Sequence, residues 1–338
     1  MEKIYVSPSS KRGVGYTNRY FYYLKESLSK YYSVLEADNK PCSLQGLSLL
    51  RNAFRADIFL LSQVEAISFQ RFGLFQFCLA VLSIKIMRLR RKRIAFILHY
   101  IHPHQGENFF TKALTKIQLR DACLVITHSR HATKYAIREL HFFGMDAEKV
   151  KYICRPIRPG NATPELPKWE KEDTIYDVLI WGEILPYKGI SEFVSDPMIE
   201  KSGLKVKIVG DCGKAELTKK LTDSWVSFEN RRAGFPELYW YCTHSRFVLF
   251  PYLVGSISSS GALMDTIAMN GTPIGPAIGA FKDLAEERVC VTYNSIKEMV
   301  DILTDKKQIE PVTQAARDEF ISRNSWENYA EFLKKHIR

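Results

Sequence analysis

Cysteine is scarce and poorly arranged for crosslinking. The seven cysteines, at 42, 78, 123, 154, 212, 242 and 290, are scattered, odd in number and free of any C-x-x-C pair. That argues against a disulfide scaffold or zinc cluster and for a reducing compartment. Glycine (18) and proline (14) are too few for a collagen-like or disordered chain. The amino-terminal MEKIYVSPSS has no apolar signal-peptide core, so a cytoplasmic protein is expected. Apolar runs stay short of the about 20 residues that a spanning helix needs, and a mean hydropathy of −0.17 argues against a polytopic membrane protein. No short-period repeat, low-complexity tract, heptad, Walker lysine motif or Asp-x-Asp motif is present. Acidic residues are outnumbered 37 to 48, for a net charge of +11. That charge attracts nucleotides, phosphorylated lipids, a membrane surface or nucleic acid. With no helix-turn-helix, zinc or RNA-binding signature, nucleic acid is disfavoured.

What is present is an α/β rhythm. The 338 residues, 46% of them hydrophobic, suffice for two domains or one large one. Apolar strand candidates at Lys3–Ser7, Ser33–Ala37, Asp57–Ser62, Arg93–His99, Cys123–His128 and Val150–Cys154 alternate with helical patterns at Asn18–Tyr31, Phe69–Leu89, Phe109–Leu119 and Arg130–His141. Uniformly apolar strands between helices predict a parallel sheet covered on both faces. The segment Arg155–Asp173 then carries four prolines and many charges, as a linker does. The rhythm restarts with strands at Tyr176–Trp181, Lys205–Val209, Val226–Phe228, Phe247–Pro251, Pro273–Gly275 and Val289–Thr292. Helices are expected at Ile190–Ser202, Lys214–Leu221, Pro236–Cys242, Gly261–Met269 and Ser295–Thr304, with an amphipathic tail at Ser325–Ile337. The expected organisation is a doubly wound domain over residues 1–156, a linker over 157–173, a second such domain over 174–322 and a closing helix over 323–338. Ligands of such sheets bind at the carboxyl ends of the strands, here expected in a cleft between the domains.

Leu74–Met87 is the most apolar stretch, broken by Lys85 and followed by Arg88, Arg90, Arg91, Lys92 and Arg93. It reads as a core helix with a solvated basic end, or as an interfacial helix whose cations meet anionic headgroups.

Four motifs bear on chemistry. Lys11–Thr17, KRGVGYT, places Gly13, Gly15 and Tyr16 between the first strand and helix, where they form a ligand-approaching loop or an ordinary tight turn. Ile97–Asn108 sets His99, His102 and His104 at a strand end with no carboxylate or cysteine to complete a metal set, so substrate hydrogen bonding or a structural role is favoured over metal. Val178–Gly189, VLIWGEILPYKG, runs from a strand through Gly182 to Lys188 at a helix start, a position suited to neutralising a phosphate. In Phe250–Pro276, Ser258, Ser259, Ser260 and Gly261 precede a helix and either cap it or donate to a diphosphate.

Together these motifs resemble GT-B glycosyltransferases, particularly the large retaining family of bacterial polysaccharide and lipopolysaccharide enzymes. The carboxyl half is similar to their nucleotide-sugar half: the x-x-P-Y-K-G turn (Gly182–Gly189), a Val-Gly strand end (Lys205–Gly210), Pro251-Tyr252, a Ser-Gly loop and Gly271-Thr272-Pro273-Ile274. His99–His104 resembles an H-x-x-x-P-H loop and Ile126–Ser129 an I-x-x-S strand end. The family's Glu-x7-Glu signature is replaced here, with Ser258 at the first position, Thr266 at the second and Asp265 adjacent to it. Glu183 stands where the family often has arginine, which leaves Lys188 as the phosphate cation and Arg155, Arg231 and Arg232 as possible substitutes.

The resemblance implies two Rossmann-like domains facing each other across a cleft. It also implies a metal-independent and retaining hexosyl- or N-acetylhexosaminyl-transferase that needs no cofactor and uses a nucleoside diphosphate sugar. Implied site residues are His99 and His104 as catalytic groups, Gly182, Lys188, Gly210 and Ser258–Gly261 on the donor diphosphate, Asp265 and Thr266 on the nucleotide ribose, and Gly13, Gly15 and Tyr16 on the acceptor side. A saccharide acceptor, lipid-linked at the inner face of the membrane, fits the basic amino half, and Tyr20–Tyr23 belong either to its site or to core packing. A catalytically silent nucleotide-sugar-binding subunit and a nucleotide-sugar epimerase are the alternatives.

Overall fold

The computed structural model describes residues 1–9, 18–37, 44–99, 101, 108–158, 176–253 and 260–337. These residues form two compact units, one from Met1–Pro156 with Ser325–Arg338, the other from Ile157–Asn324.

Unit 1 runs β1 (Lys3–Ser7), α1 (Arg19–Leu28), β2 (Ser33–Glu36), α2 (Gln45–Asn52), β3 (Ile58–Ser62), a 3-10 segment (Val64–Phe69), α3 (Gly73–Leu89), β4 (Arg93–Leu98), α4 (Phe109–Asp121), β5 (Leu124–Thr127), α5 (Arg130–Phe142) and β6 (Val150–Tyr152). Its sheet has the order β2-β1-β3-β4-β5-β6, parallel throughout. Successive strand residues point to opposite faces, and both faces are apolar. Tyr5, Phe59, Leu61, Phe96 and Val125 pack under the inner sides of α2–α5, which supply Leu49, Ile84, Leu114 and Leu140. Ile4, Val6, Ile58, Leu60 and Ile97 pack under α1 and the carboxy-terminal helix.

Unit 2 runs β7 (Tyr176–Trp181), a 3-10 turn (Pro186–Lys188), α6 (Ile190–Ser195), α7 (Pro197–Glu200), β8 (Val206–Val209), α8 (Ala215–Thr222), β9 (Ser227–Glu229), α9 (Phe235–Thr243), β10 (Ser245–Leu249), α10 (Gly261–Ala268), β11 (Pro273–Pro276), α11 (Gly279–Glu286), β12 (Val291–Tyr293), α12 (Ile296–Leu303) and α13 (Gln314–Arg323). The final helix, α14 (Trp326–His336), returns to unit 1. The second sheet is also parallel, in the order β12-β11-β10-β7-β8-β9. Counted within the unit this is the doubly wound 3-2-1-4-5-6 order, which reverses between β7 and β10.

Several expected bounds shift by one to three residues, as where α1 ends at Leu28 and β12 begins at Val291, and three elements differ for a visible local reason. The helix expected over Phe69–Leu89 begins only at Gly73, because the 3-10 segment ends at Phe69 with extended Gln70 as its cap and Phe72, left-handed at φ 58°, is the N-cap of α3. The helix expected over Ile190–Ser202 divides at Asp196, whose side chain caps α7 ahead of Pro197. The strand expected over Phe247–Pro251 forms two residues earlier, so Pro251 and Tyr252 belong to the loop after β10.

Candidate functional site

The order reversal between β7 and β10 opens a crevice at their carboxyl ends, where doubly wound sheets bind ligands. The loops leaving the two strands are fastened together there. Leu253 N–H donates to the Tyr187 carbonyl at 3.0 Å. Gly189, left-handed at φ +66°, lies so close that an added Cβ would stand 2.1 Å from the Pro251 carbonyl oxygen. Gly182, at φ +96°, is also left-handed, and the Lys188 ammonium lies 3.5 Å from where its Cβ would be.

Lys188 is the charged centre of this crevice. It is 7% exposed, its Nζ stands 5.9 Å from the Tyr252 ring centroid, and no carboxylate among the described residues lies within ion-pair distance of it. Burial pulls its pKa down to about 8, an effect opposed by the nearby Glu183 charge, so it remains mostly cationic at neutral pH. An unpaired buried cation is costly unless an anion joins it. Ser260 caps α10 by accepting from Leu263 N–H at 3.3 Å, and its hydroxyl lies 3.3 Å from the Tyr252 phenol. The first turn of α10, with its outward N–H groups and dipole, therefore starts beside the same tyrosine that faces Lys188.

In unit 1, His99 follows β4 and is 4% exposed. Tyr20 meets it edge-on at 4.8 Å, Phe21 at 6.2 Å, and the His128 ring is 5.3 Å away. Burial, with the His128 and Arg155 charges, holds its pKa well below the usual range. A hydrogen-bond chain runs alongside. The Ile153 carbonyl only accepts, so His128 Nδ1–H donates to it at 3.0 Å. Nε2 must then accept, and Tyr20 O–H donates to it at 2.9 Å. Tyr329 O–H of α14 donates in turn to Tyr20 at 3.1 Å. Burial lowers the His128 pKa to about 3 and raises that of Tyr20 to about 12. Arg155 lies over the Tyr20 ring at 4.6 Å.

The sequence-predicted residues separate into three groups. Gly182, Lys188, Ser260 and Gly261 gather at the crevice of unit 2. Gly210 lies against Gly182, but the Gly182 carbonyl oxygen would stand 2.0 Å from its Cβ, so its bareness admits backbone rather than ligand. Asp265 is half-buried on α10. Thr266 is fully buried and its hydroxyl accepts from the Trp181 indole at 2.9 Å; it has no surface to offer a ribose in this conformation. Gly13, Gly15, Tyr16, His102, His104, Ser258 and Ser259 lie outside the described residues. Of the substitute cations, Arg155 is taken by Tyr20, Arg231 by Glu229 and Glu237, and Arg232 by Asp211. Tyr20 and Phe21 are core residues, whereas Tyr22 is exposed. Among the described residues no three His, Cys, Asp or Glu side chains are placed to hold a metal ion.

Sequence reasoning gave no role to His128, Trp326 or Tyr329, because a buried polar chain between residues 309 positions apart leaves no local pattern. Tyr252 was visible in the Pro-Tyr motif, but its position over Lys188 was not.

No protein-family model matches the chain, and no curated protein matches it. Solved structures do. Anabaena Alr3699/HepE in complex with UDP superposes with a TM-score of 0.69 at 15% identity, over 99% of this chain and 100% of that one. The same protein with UDP-glucose gives 0.66 at 16%, over 99% and 100%. The fold is GT-B. An alpha,alpha-trehalose-phosphate synthase (UDP-forming) from Burkholderia vietnamiensis has the same architecture, with a TM-score of 0.61 at 11% identity over 100% of this chain and 97% of that one. In GT-B terms unit 1 is the amino-terminal Rossmann-like domain, completed by α14, and unit 2 is the carboxy-terminal one.

Proposed function

We propose that this protein is a GT-B glycosyltransferase that binds the diphosphate of a nucleoside diphosphate sugar at the β7–β10 crevice. The observation that carries the reading is Lys188, a nearly buried cation with no carboxylate partner among the described residues, at the switch point of a doubly wound sheet and close to the start of a helix. In glycosyl transfer the nucleoside diphosphate leaves as negative charge grows on it, and preorganised cations and N–H donors aimed there lower the barrier. Lys188, the first turn of α10 and the Ser258–Ser260 hydroxyls are proposed for that task, without a metal. UDP and UDP-glucose are the first donors to test, because Alr3699/HepE was solved with both. Hexosyl or N-acetylhexosaminyl transfer with retention, to a saccharide on a lipid carrier at the inner face of the membrane, completes the proposal for a role in surface polysaccharide synthesis.

The test is calorimetric titration with UDP, GDP and ADP in the presence of EDTA, followed by a transfer assay. One diphosphate should bind, and Lys188→Ala should abolish it. Absence of binding by all three overturns the reading. Thr266, enclosed and lacking a charge, favours a second reading as a binding subunit. That reading takes over if a diphosphate binds and neither transfer nor donor hydrolysis is detected.

A further inference from the structure

The four helices α2–α5 cover one face of the first sheet, each with its inner side in a common core, and their outer sides consequently form one continuous surface. Its composition is unlike the rest of the molecule. Leu89 at the end of α3 is 88% exposed, Phe142 on α5 is 81% and Phe109 on α4 is 77%. Leu74 and Phe75 on α3 and Phe54 just after α2 are exposed as well. Interleaved with them are exposed cations: Arg51 on α2, Arg55 just after it, Lys85 on α3, Arg90 and Arg91 after its end, Lys112 and Lys116 on α4, and Lys134 and Arg138 on α5.

The described acids of this region are largely covered. Among described residues 44–143 no Asp or Glu is classed as exposed. Asp121 is enclosed between Arg88 and Arg120, Asp57 pairs with Lys92 at 3.0 Å, and Glu65 is buried in the core. Glu139 is half-covered.

We infer that the outer face of α2–α5 docks flat on an anionic lipid bilayer. Its cations meet the headgroups and its phenylalanines and leucines enter the acyl boundary. Exposed apolar patches of this kind mark contact sites, and the mixture of bases with large apolar side chains is that of an interfacial element. A second copy is a poor occupant, since two such faces would oppose like charges. Nucleic acid would meet the cations and leave the apolar side chains in water. No helix among the described residues is long and apolar enough to cross a membrane, so the contact is peripheral. The inference deepens the membrane part of the function proposed above and rests on it only for the cellular setting.

Vesicle co-sedimentation of the full chain tests it, with phosphatidylcholine alone and with added phosphatidylglycerol. Binding should require the anionic lipid and weaken with salt. Each of Lys85→Glu, Lys112→Glu and Lys116→Glu should reduce it by at least about fivefold, and Lys335→Glu on the opposite side of the unit should leave it unchanged. Phe75→Ser with Phe142→Ser should remove the binding that survives at high salt. Equal binding to both vesicle types, equal loss with Lys335→Glu, tighter binding to single-stranded RNA, or self-association through this face would each overturn it. UDP titration of the same variants reports folding, and the unaltered protein keeps the two proposals apart: if it binds UDP but no vesicle, this proposal alone fails.

Discussion

Gly189 touches the Pro251 carbonyl with no side chain between them, and this contact fastens the loop after β7 to the loop after β10. It combines a left-handed backbone with a close approach, so alanine fails there on two grounds. Gly189→Ala should lose more than about 3 kcal/mol in urea unfolding and lose diphosphate binding. Gly144, left-handed at φ +63° with nothing within 4 Å of its Cβ, is the control. Gly144→Ala should cost roughly 1–2 kcal/mol and leave binding intact.

Lys188 should show opposite effects on stability and binding. Its folded pKa of about 8 lies below that of a free lysine, so the unfolded state holds the proton more tightly. The penalty is present at every pH below about 8 and disappears as pH rises toward the unfolded value. Lys188→Met should therefore raise stability at pH 7, by up to about 3 kcal/mol, while eliminating UDP binding. In the unaltered protein, UDP affinity should fall up to about tenfold per pH unit above pH 8, with proton uptake on binding measurable by calorimetry in buffers of different ionisation enthalpy.

The Tyr329–Tyr20–His128 chain predicts unequal costs for two identical chemical changes. Tyr20→Phe removes the middle link and leaves both the His128 Nε2 acceptor and the Tyr329 hydroxyl stranded, for a loss of about 2–4 kcal/mol. Tyr329→Phe removes only the donor at the end of the chain and should cost about 1 kcal/mol. Denaturant midpoints of the two variants decide; equal losses would contradict the assigned donor directions.

Acid stability is a contest within unit 1. His128, with a folded pKa of about 3, and His99, also depressed, withdraw stability as pH falls below about 6.5, because the unfolded state protonates first. Glu65 works against them. Burial raises its pKa to about 7, and its Oε2 has no hydrogen-bond partner, so it contributes stability when protonated and loses it as pH rises through 7. Glu65→Gln should stabilise by about 3 kcal/mol at pH 8 and by only about 1 at pH 5, steepening the acid loss. Urea unfolding at the two pH values measures the difference.

Both sheets were legible because their strands centre on short apolar runs; β1 and β7 have the bounds read from the sequence. The Lys188 turn was legible for a local reason, since a proline, a lysine and a glycine follow a strand in close succession. Three helices were missed: α2, α11 and α13 hold eight to ten residues each, few enough for periodicity to be lost among the surrounding loops, whereas the equally short α8, α10 and α12 were expected. Thr266 shows the limit on the site. Counting from Gly271 placed it at a ligand position, but the Trp181 indole had already claimed its hydroxyl, a contact across 85 positions that spacing does not encode.

Unit 1 is finished by a helix that follows the whole of unit 2 in the chain. Trp326, Tyr329 and Leu333 of α14 fill the core beneath α1, and Tyr329 starts the buried hydrogen-bond chain, yet all of Ile157–Asn324 lies before them in the sequence. On the ribosome the order of completion is therefore inverted. A nascent chain stalled after Asn324 carries every residue of the second unit and a first unit whose α1 face stays open to water until α14 emerges.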